Sequence, residues 1–550
     1  MLQKIEFENY KAFRNGSLEI RPINILIGAN SVGKSSVIQL FLMLQETALN
    51  QFYNSPLKLY GNCFSLGEGI NLFRKKKSEN NLEISLSFKD ETLVSFFQKE
   101  MIENIKSELL LTSFVFSKNS NNNNQSNKHL IDYLIETQKK SVQPQTKKNS
   151  INSIDDINIK EIINKVSMEM PKNQKTGYYE IIKSILSSTN SNPEIILNTL
   201  VNSKNEIFFT YEFLETLKSF NSTDDITISY SFSYNNEKLY VDFFTLAIGN
   251  YEKIKIKLQD KDDIISFEKF NKNLLSSNLI KQYENIFTPS QNIFKPISDE
   301  TQNSLFNKYI LEIINRCLDR ARQNFISKNI NYVSPLRAYP KRYYFLDKAK
   351  NNSFLDTLDG ESIAQILKDN PNLKKRVNQW FKRFNLYIEI GQLKDIIHQI
   401  EVNQYSLNLD LTDVGFGVSQ ILPVIIQGFL SIENSLTLIE QPEIHLHPKM
   451  QADLADLFID IALNKNGLGK KYLLIETHSE YLLKRLRRRI SEKYIQNTDI
   501  GLYYVEHDEH EDCTVIRMID IQSNGSFEYP KDFYSGDLAD DINIFLKNQL

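Results

Sequence analysis

Cysteine is scarce: Cys63, Cys317 and Cys513 are the three in 550 residues, far apart and without metal-type spacing. That excludes a disulfide-built scaffold and suits a reducing cytoplasm. No apolar run approaches the ~18 residues of a membrane-spanning helix, and the opening MLQKIEFENYKAF alternates like a strand, without the apolar block of a secretory leader. A soluble cytoplasmic protein, with no membrane partner, is expected. An excess of basic charge is also missing. With a formal net charge of −3, any nucleic-acid contact has to be a local patch. No heptad pattern lasts for the three or four repeats of a coiled coil, which excludes a long coiled-coil arm.

The chain is otherwise ordinary for a globular protein, with 41% apolar and 24% charged residues, and long enough for a large core. QKIEFENY and INILIG read as strands, and SSVIQLFLMLQETAL reads as a helix, with Val37, Leu40, Phe41 and Leu44 at helical spacing. NLEISLSF alternates as a further strand. SKNSNNNNQSNKH (117–129) and QKKSVQPQTKKNSINS (138–153) are polar and Asn-rich, the composition of flexible loops. Amphipathic helix candidates surround them, and 225–259 reads as a strand meander with a turn near Asn235-Asn236. Farther on, SLTLIE and KYLLIETHS are short apolar runs with polar ends, as in buried parallel strands, each followed by a helix candidate. DIGLYYVEH and DCTVIRMIDIQ read as a hairpin with HDEHED at its tip. The order implies an α/β fold, a mixed or parallel sheet flanked by helices. We divide it into an N-terminal lobe (1–99), an α+β insert (100–330), a C-terminal lobe (331–500) and a hairpin with tail (501–550).

GANSVGKSS (28–36) fits G-x-x-x-x-G-K-[ST] between a strand and a helix. Gly28 and Gly33 can take backbone angles closed to other residues, so that successive N–H groups, with Asn30, Ser31 and Ser36 in the same loop, turn toward phosphate oxygens. The helix beginning near Lys34 adds its positive end. Lys34 is expected on the β- and γ-phosphates of ATP and the Ser35 hydroxyl on Mg²⁺. The matching acid should end another buried strand, and SLTLIE supplies Glu440 as the Mg²⁺-side carboxylate.

GANSVGKSS, LTDVGFGVSQILP, EQPEIHLHPKMQ and ETHSEYLLKRLRRRI, in this order, resemble the SMC/OLD-like branch of ABC-type ATPases, in the subfamily with EQPE after the second strand. Among characterised members the chain looks most like the ATPase subunit of Septu-type antiphage systems, including those paired with retrons. The resemblance implies a P-loop ABC/SMC-type ATPase head. It places GFGVSQ at the signature, with Gly417, Ser419 and Gln420 offered to the γ-phosphate of a second copy. Val418 departs from the pattern, which has glycine there. It implies an ATP-joined homodimer or an assembly of dimers, a separate HNH nuclease and a retron reverse transcriptase with its RNA–DNA as partners. It puts His478 at the switch histidine and Gln441 at the catalytic-base position. Glutamine can orient water but cannot take its proton. Glu443, two residues on, is the candidate to stand in, and turnover is expected to be slow.

His445 and His447 share a face if extended, which is ligand-like spacing, but no further Cys or His lies near, and the tip histidines His507 and His510 read as solvated. Lys484 with Arg488 and Arg485 with Arg489 lie at i,i+4, admitting nucleic-acid backbone, an acidic partner or plain solvated surface. Arg337 and Arg342 admit nucleotide, partner or solvent. No separated acid clusters of a two-metal nuclease follow His478, so no intrinsic nuclease is expected. A DNA-repair-type SMC-like ATPase acting alone on DNA is the alternative function, and a nucleotide-stabilised scaffold without turnover is a third.

Overall fold

A computed structural model describes residues 1–50, 55–106, 213–249, 254–259, 264–267, 270–273, 286–287, 305–345, 360, 362–394, 396–405, 407–464 and 469–528. Both Asn-rich stretches, the helix candidates at 159–170, 178–188 and 193–203, and the tail beyond 528 lie outside the described residues.

A central sheet positions everything discussed below. Its order is β10 (Ile330–Val333), β15 (Leu436–Glu440), β16 (Tyr472–Glu476), β3 (Ile23–Gly28), β17 (Ile500–Asp508) and β18 (Cys513–Ile519). The first five run parallel, and β18 returns antiparallel to β17 as the expected hairpin. Parallel strands covered on both faces require apolar residues in both directions, and the alternation is visible. Leu26, Leu438, Leu474 and Val505 face one core, whereas Ile25, Ile439, Ile475 and Leu502 face another.

The first core holds the helix Lys34–Leu49 and an antiparallel sheet. That sheet is built from β1 (Leu2–Glu8), β2 (Asn15–Glu19), β4 (Leu82–Lys89), β5 (Asp225–Asn235), β6 (Lys238–Ile248), β7 (Ile254–Gln259), β8 (Ile264–Phe267) and β9 (Phe270–Asn273), in the order β2-β1-β4-β5-β6-β7-β8-β9. The meander read from the sequence therefore extends the sheet that the N-terminal strands begin, through β4 paired with β5. Its tight turn falls at Asn236-Glu237, both at positive φ. The helix Lys34–Leu49 buries the expected Val37, Leu40, Phe41 and Leu44, and also Ile38, Leu42 and Met43. It is enclosed on most sides rather than simply amphipathic.

The second core packs the helices Phe416–Leu430, Pro448–Leu463 and Glu480–Ser491 on the opposite face, together with a small sheet of β11 (Tyr344–Phe345), β12 (Leu386–Lys394), β13 (Ile397–Gln404) and β14 (Leu407–Asp410). Gly428 lets two of these helices close up, since a Cβ there would lie 2.3 Å from Ile461 Cδ1. The helix Glu480–Ser491 starts on Ser479, whose Oγ accepts the Leu482 N–H, and buries Leu482, Leu483, Leu486 and Ile490. Its basic run meets acids of the neighbouring helix. Arg485 Nη2 lies 2.8 Å from Asp453, and Arg489 Nε 2.6 Å from Asp456. Lys484 pairs with Glu480 on its own helix and Arg488 with Glu492 at that helix's C-terminal cap. Of the three readings open for this run, the acidic partner is present, and it lies within the chain. Among the described residues no helix is long and apolar enough to cross a membrane.

Asp456 is buried between Arg485 and Arg489, so removing it leaves Arg485 with Asp453 and Arg489 with Glu492 as their remaining carboxylate partners among the described residues. Asp456→Ala is expected to lower unfolding free energy by about 1–3 kcal/mol, read as a lower urea midpoint at unchanged m-value. An unaltered midpoint would show that Asp456 contributes nothing to holding the two helices together.

Candidate functional site

β3 ends at Gly28, which sits at φ 149 and abuts the backbone of β17: a Cβ there would lie 2.1 Å from the Val505 carbonyl oxygen. Only glycine fits so close an approach. Gly33, at φ 109, caps the next helix. Between them Asn30 and Ser31 are exposed, with Ser31 in the left-handed region, and Ser36 is half-buried. The C-terminal hairpin braces this loop. Thr514 Oγ1 donates to the Val32 carbonyl at 2.9 Å, and Thr514 N donates to the Ala12 carbonyl at 2.9 Å. Lys34 is buried, and its Nζ donates to the carbonyls of Gly28 at 3.1 Å and Ala29 at 2.6 Å.

β16 separates β3 from β15, so the acid that Ser35 meets first is on β16. Ser35 Oγ donates to Glu476 Oε2 at 2.9 Å. Glu440 is the register partner of Glu476 on β15, shares the Ser35 hydroxyl as a neighbour, and accepts the Tyr332 hydroxyl on Oε1 at 2.8 Å. The sequence alone points to Glu440 at this edge and not to Glu476, which the structure places nearer Ser35. Its signal was available, an acid ending the apolar run KYLLIE, but only the strand order gives that acid its place.

Gln441 follows at φ 44, its N–H donating to the Glu476 carbonyl at 2.8 Å. Glu443 lies in the non-helical turn that follows, where its Oε1 accepts the His478 N–H at 2.7 Å and its buried Oε2 has no hydrogen-bond partner by distance and angle among the described residues. His478 is exposed on the next strand end. Lys34, Ser35, Glu440, Gln441, Glu443 and His478 are therefore gathered at one edge of one sheet, joined by Glu476.

The candidate signature residues reach this edge from the side. The helix Phe416–Leu430 leads back into β15, which puts its N-terminus beside the end of that strand. A Cβ on Gly417 would lie 2.8 Å from the His445 carbonyl oxygen. Ser419 and Gln420 are buried, and Val418 packs into the same core as Leu446. Arg337, one of whose sequence readings was a solvated arginine, is instead 5% exposed and donates to the carbonyls of Gln420, Glu440 and Gln441. Arg342 is exposed and pairs with Asp413 at 2.8 Å. His447 caps the next helix by accepting the Lys449 N–H.

Burial dominates the electrostatics. It pushes Glu440 up to about 7, the Tyr332 hydroxyl opposing and Glu476 reinforcing. Burial likewise raises Glu476, opposed by Ser35 and Lys34, and raises Glu443, opposed by the His478 N–H. Lys34 is held below the usual lysine range by burial, against the pull of Glu476 and Glu443. Partial desolvation of the ring, whose outer face is exposed, and then the Lys34 ammonium hold His478 below its ordinary value. Carboxyls with raised proton affinity around one hydroxyl form a donor set that a hard cation suits. Mg²⁺ is usually held by one or two carboxylates, with phosphates and waters completing its shell. Ser35, Glu440 and Glu476 fit that requirement. Among the described residues no group of three His, Cys, Asp and Glu side chains is arranged to hold a metal unaided.

Strand, glycine loop, lysine and carboxylate edge together define a P-loop α/β protein. A family profile described as AAA ATPase domain matches residues 1–211 and 178–483, and the chain belongs to that family, which implies nucleotide binding. Among solved structures it is similar to the SMC head domain from Thermotoga maritima, at 8% identity and TM-score 0.34, covering 94% of this chain and 99% of that one. It is also similar to the Smc head domain with an extended coiled coil bound to the C-terminal domain of ScpA, from Pyrococcus furiosus. There the identity is 9% and the TM-score 0.32, covering 100% of this chain and 99% of that one. No curated protein matches.

The raised Glu440 value has a consequence for stability. The fold favours the neutral acid, so this group's contribution is complete below the ordinary value of 4.5 and is lost as pH rises through about 7. Nucleotide-free protein should lose melting temperature between about pH 5 and about pH 8. Glu440→Gln should flatten that slope, recovering up to about 3 kcal/mol at the alkaline end. A pH series of thermal melts on both proteins decides it, and parallel curves would refute the assignment.

Proposed function

We propose that the chain is a nucleotide-gated ATPase subunit, in which Mg²⁺–ATP joins two copies, turnover is slow, and the joined state controls a separate nuclease of HNH type in antiphage defence. The observation that carries the nucleotide half is the convergence of Lys34, Ser35, Glu440 and Glu476 at one sheet edge. In this reading the N–H groups of 28–36, with Asn30, Ser31 and Ser36, cradle the triphosphate. Lys34 exchanges its bonds to the Gly28 and Ala29 carbonyls for phosphate oxygens. Ser35, with Glu440 and Glu476, holds Mg²⁺ directly or through water.

Water activation falls to Gln441, Glu443 and His478. Gln441 orients water but accepts no proton. Glu443 has a buried Oε2 and a proton affinity raised by burial, the setting of a general base tuned toward neutrality. His478 stands beside Lys34 and serves the γ-phosphate. Gly417, in the first turn of the helix Phe416–Leu430, suits the γ-phosphate of the second copy, while Ser419 and Gln420, buried behind it, support that turn.

The defence half, with its HNH nuclease and retron reverse transcriptase, rests on the resemblance of the motifs to Septu-type ATPases. Co-purification of a nuclease with the chain from its native host tests it. The alternative of autonomous action on DNA is less well supported, because Lys484, Arg485, Arg488 and Arg489 each have a carboxylate partner within the chain.

Lys34→Ala should abolish Mg²⁺–ATP binding by calorimetry. Gln441→Glu should raise steady-state phosphate release severalfold, while Glu443→Gln should lower it by about a hundredfold. Unchanged turnover in Gln441→Glu together with unchanged turnover in Glu443→Gln would remove both residues from the water-activating role.

A further inference from the structure

We propose that Arg337 is a positioning residue that couples the N-terminal turns of the helix Phe416–Leu430 to the backbone at Gln441. What the helix end touches is thereby transmitted to the place where water is held. The inference rests on the nucleotide reading above and adds a regulatory link within that site.

The guanidinium makes three bonds to two separate segments. Nη1 donates to the Gln420 carbonyl at 3.3 Å, and Nη2 donates to the carbonyls of Glu440 at 2.9 Å and Gln441 at 3.1 Å. All three acceptors are main-chain oxygens, so the contact reports backbone position and not side-chain identity. Arg337 is 5% exposed; both terminal nitrogens are bonded, and its Nε has no hydrogen-bond partner among the described residues, so these three carbonyls are what offset its burial. Lysine would not substitute. A single ammonium at the end of a flexible stem does not reproduce a planar fork reaching two segments at once.

Both ends of the link are places where position matters. Gln441 lies in the left-handed region at φ 44, a conformation that costs a glutamine about 1 kcal/mol. It is held there by its own N–H on the Glu476 carbonyl and by Arg337 on its carbonyl. Loosening either bond lets the peptide relax and carries the amide side chain with it. On the helix side, Pro423 removes one rung of the hydrogen-bond ladder close to Gln420, which makes an outside anchor on this turn more consequential. The same turn is pressed against the His445 carbonyl through Gly417. A shift of the helix end therefore moves a bonded unit that includes residue 441.

Arg337→Lys and Arg337→Gln in the full chain test the link with two independent readouts. In nucleotide-free protein, amide hydrogen exchange should quicken together at 417–421 and at 441–443, while the helix Pro448–Leu463 keeps its wild-type protection. With Mg²⁺–ATP, kcat should fall about tenfold or more while the calorimetric Kd stays within about twofold, and the lysine variant should give no rescue. Exchange that quickens at one segment alone, exchange that quickens throughout the helix Pro448–Leu463 as well, or an unchanged kcat would each overturn the coupling. Should the wild-type chain fail to bind Mg²⁺–ATP, the nucleotide reading falls while the exchange pattern still decides the coupling.

Discussion

Two neighbouring parallel strands ending level with each other impose the constraint on which the site depends. In parallel pairing, β15 and β16 bring Glu440 beside Glu476 at their carboxyl ends, and both are buried. Both have lost most of their water, and that burial, reinforced by repulsion from Glu476 at Glu440 and from Glu443 at Glu476, is why both hold protons more tightly than a free glutamate. The arrangement persists because hydroxyls reach in from either side, Ser35 from the loop and Tyr332 from the edge strand β10. Lys34 supplies the nearby positive charge. A divalent cation would relieve the same repulsion more completely than any of these groups.

That edge also explains why remote pieces of chain are needed. Gly28 can accept the Val505 carbonyl at its back only because it lacks a side chain, and the hairpin that carries Val505 is further tied to the loop through Thr514 and Val32. Arg14 and Lys75 pair with Glu511 and Asp512 at the hairpin tip, so HDEHED is bound to the N-terminal lobe. These exposed pairs contribute little energy singly. The backbone contacts carry the bracing, and the charges keep the tip in register.

Much of this was legible in order of locality. The phosphate loop, its flanking strand and helix, the parallel strands and the closing hairpin announce themselves through period and turn chemistry inside short windows. Two kinds of feature did not. Strand order made Glu476 the acid nearest Ser35, and no window around ETHS contains that fact. Long-range pairing neutralised the basic run: Asp453 and Asp456 lie one helix earlier, and the i,i+4 spacing shows only the repulsion they offset. Arg337 belongs to the second kind, since SPLRAY resembles a solvated turn until three carbonyls from two distant segments close on it. The small sheet β11–β14 escaped because its strands are polar on much of their length.

The amide at 441 can be understood from the same crowding. A glutamate there would place a further carboxylate beside Glu440, Glu443 and Glu476, in a setting where burial already pushes each toward its neutral form. Each added negative charge raises the proton affinity of the others, so a base introduced at 441 would itself be partly protonated unless a cation compensates. Glutamine avoids that load and still offers a donor and an acceptor to water. It cannot take a proton, but it leaves the carboxylates free to respond to a bound cation. For the nucleotide-gated subunit proposed above, which would remain in one nucleotide state until displaced, a strand end that is electrostatically calm and held by Arg337 at the Glu440 and Gln441 carbonyls is worth more than a fast one.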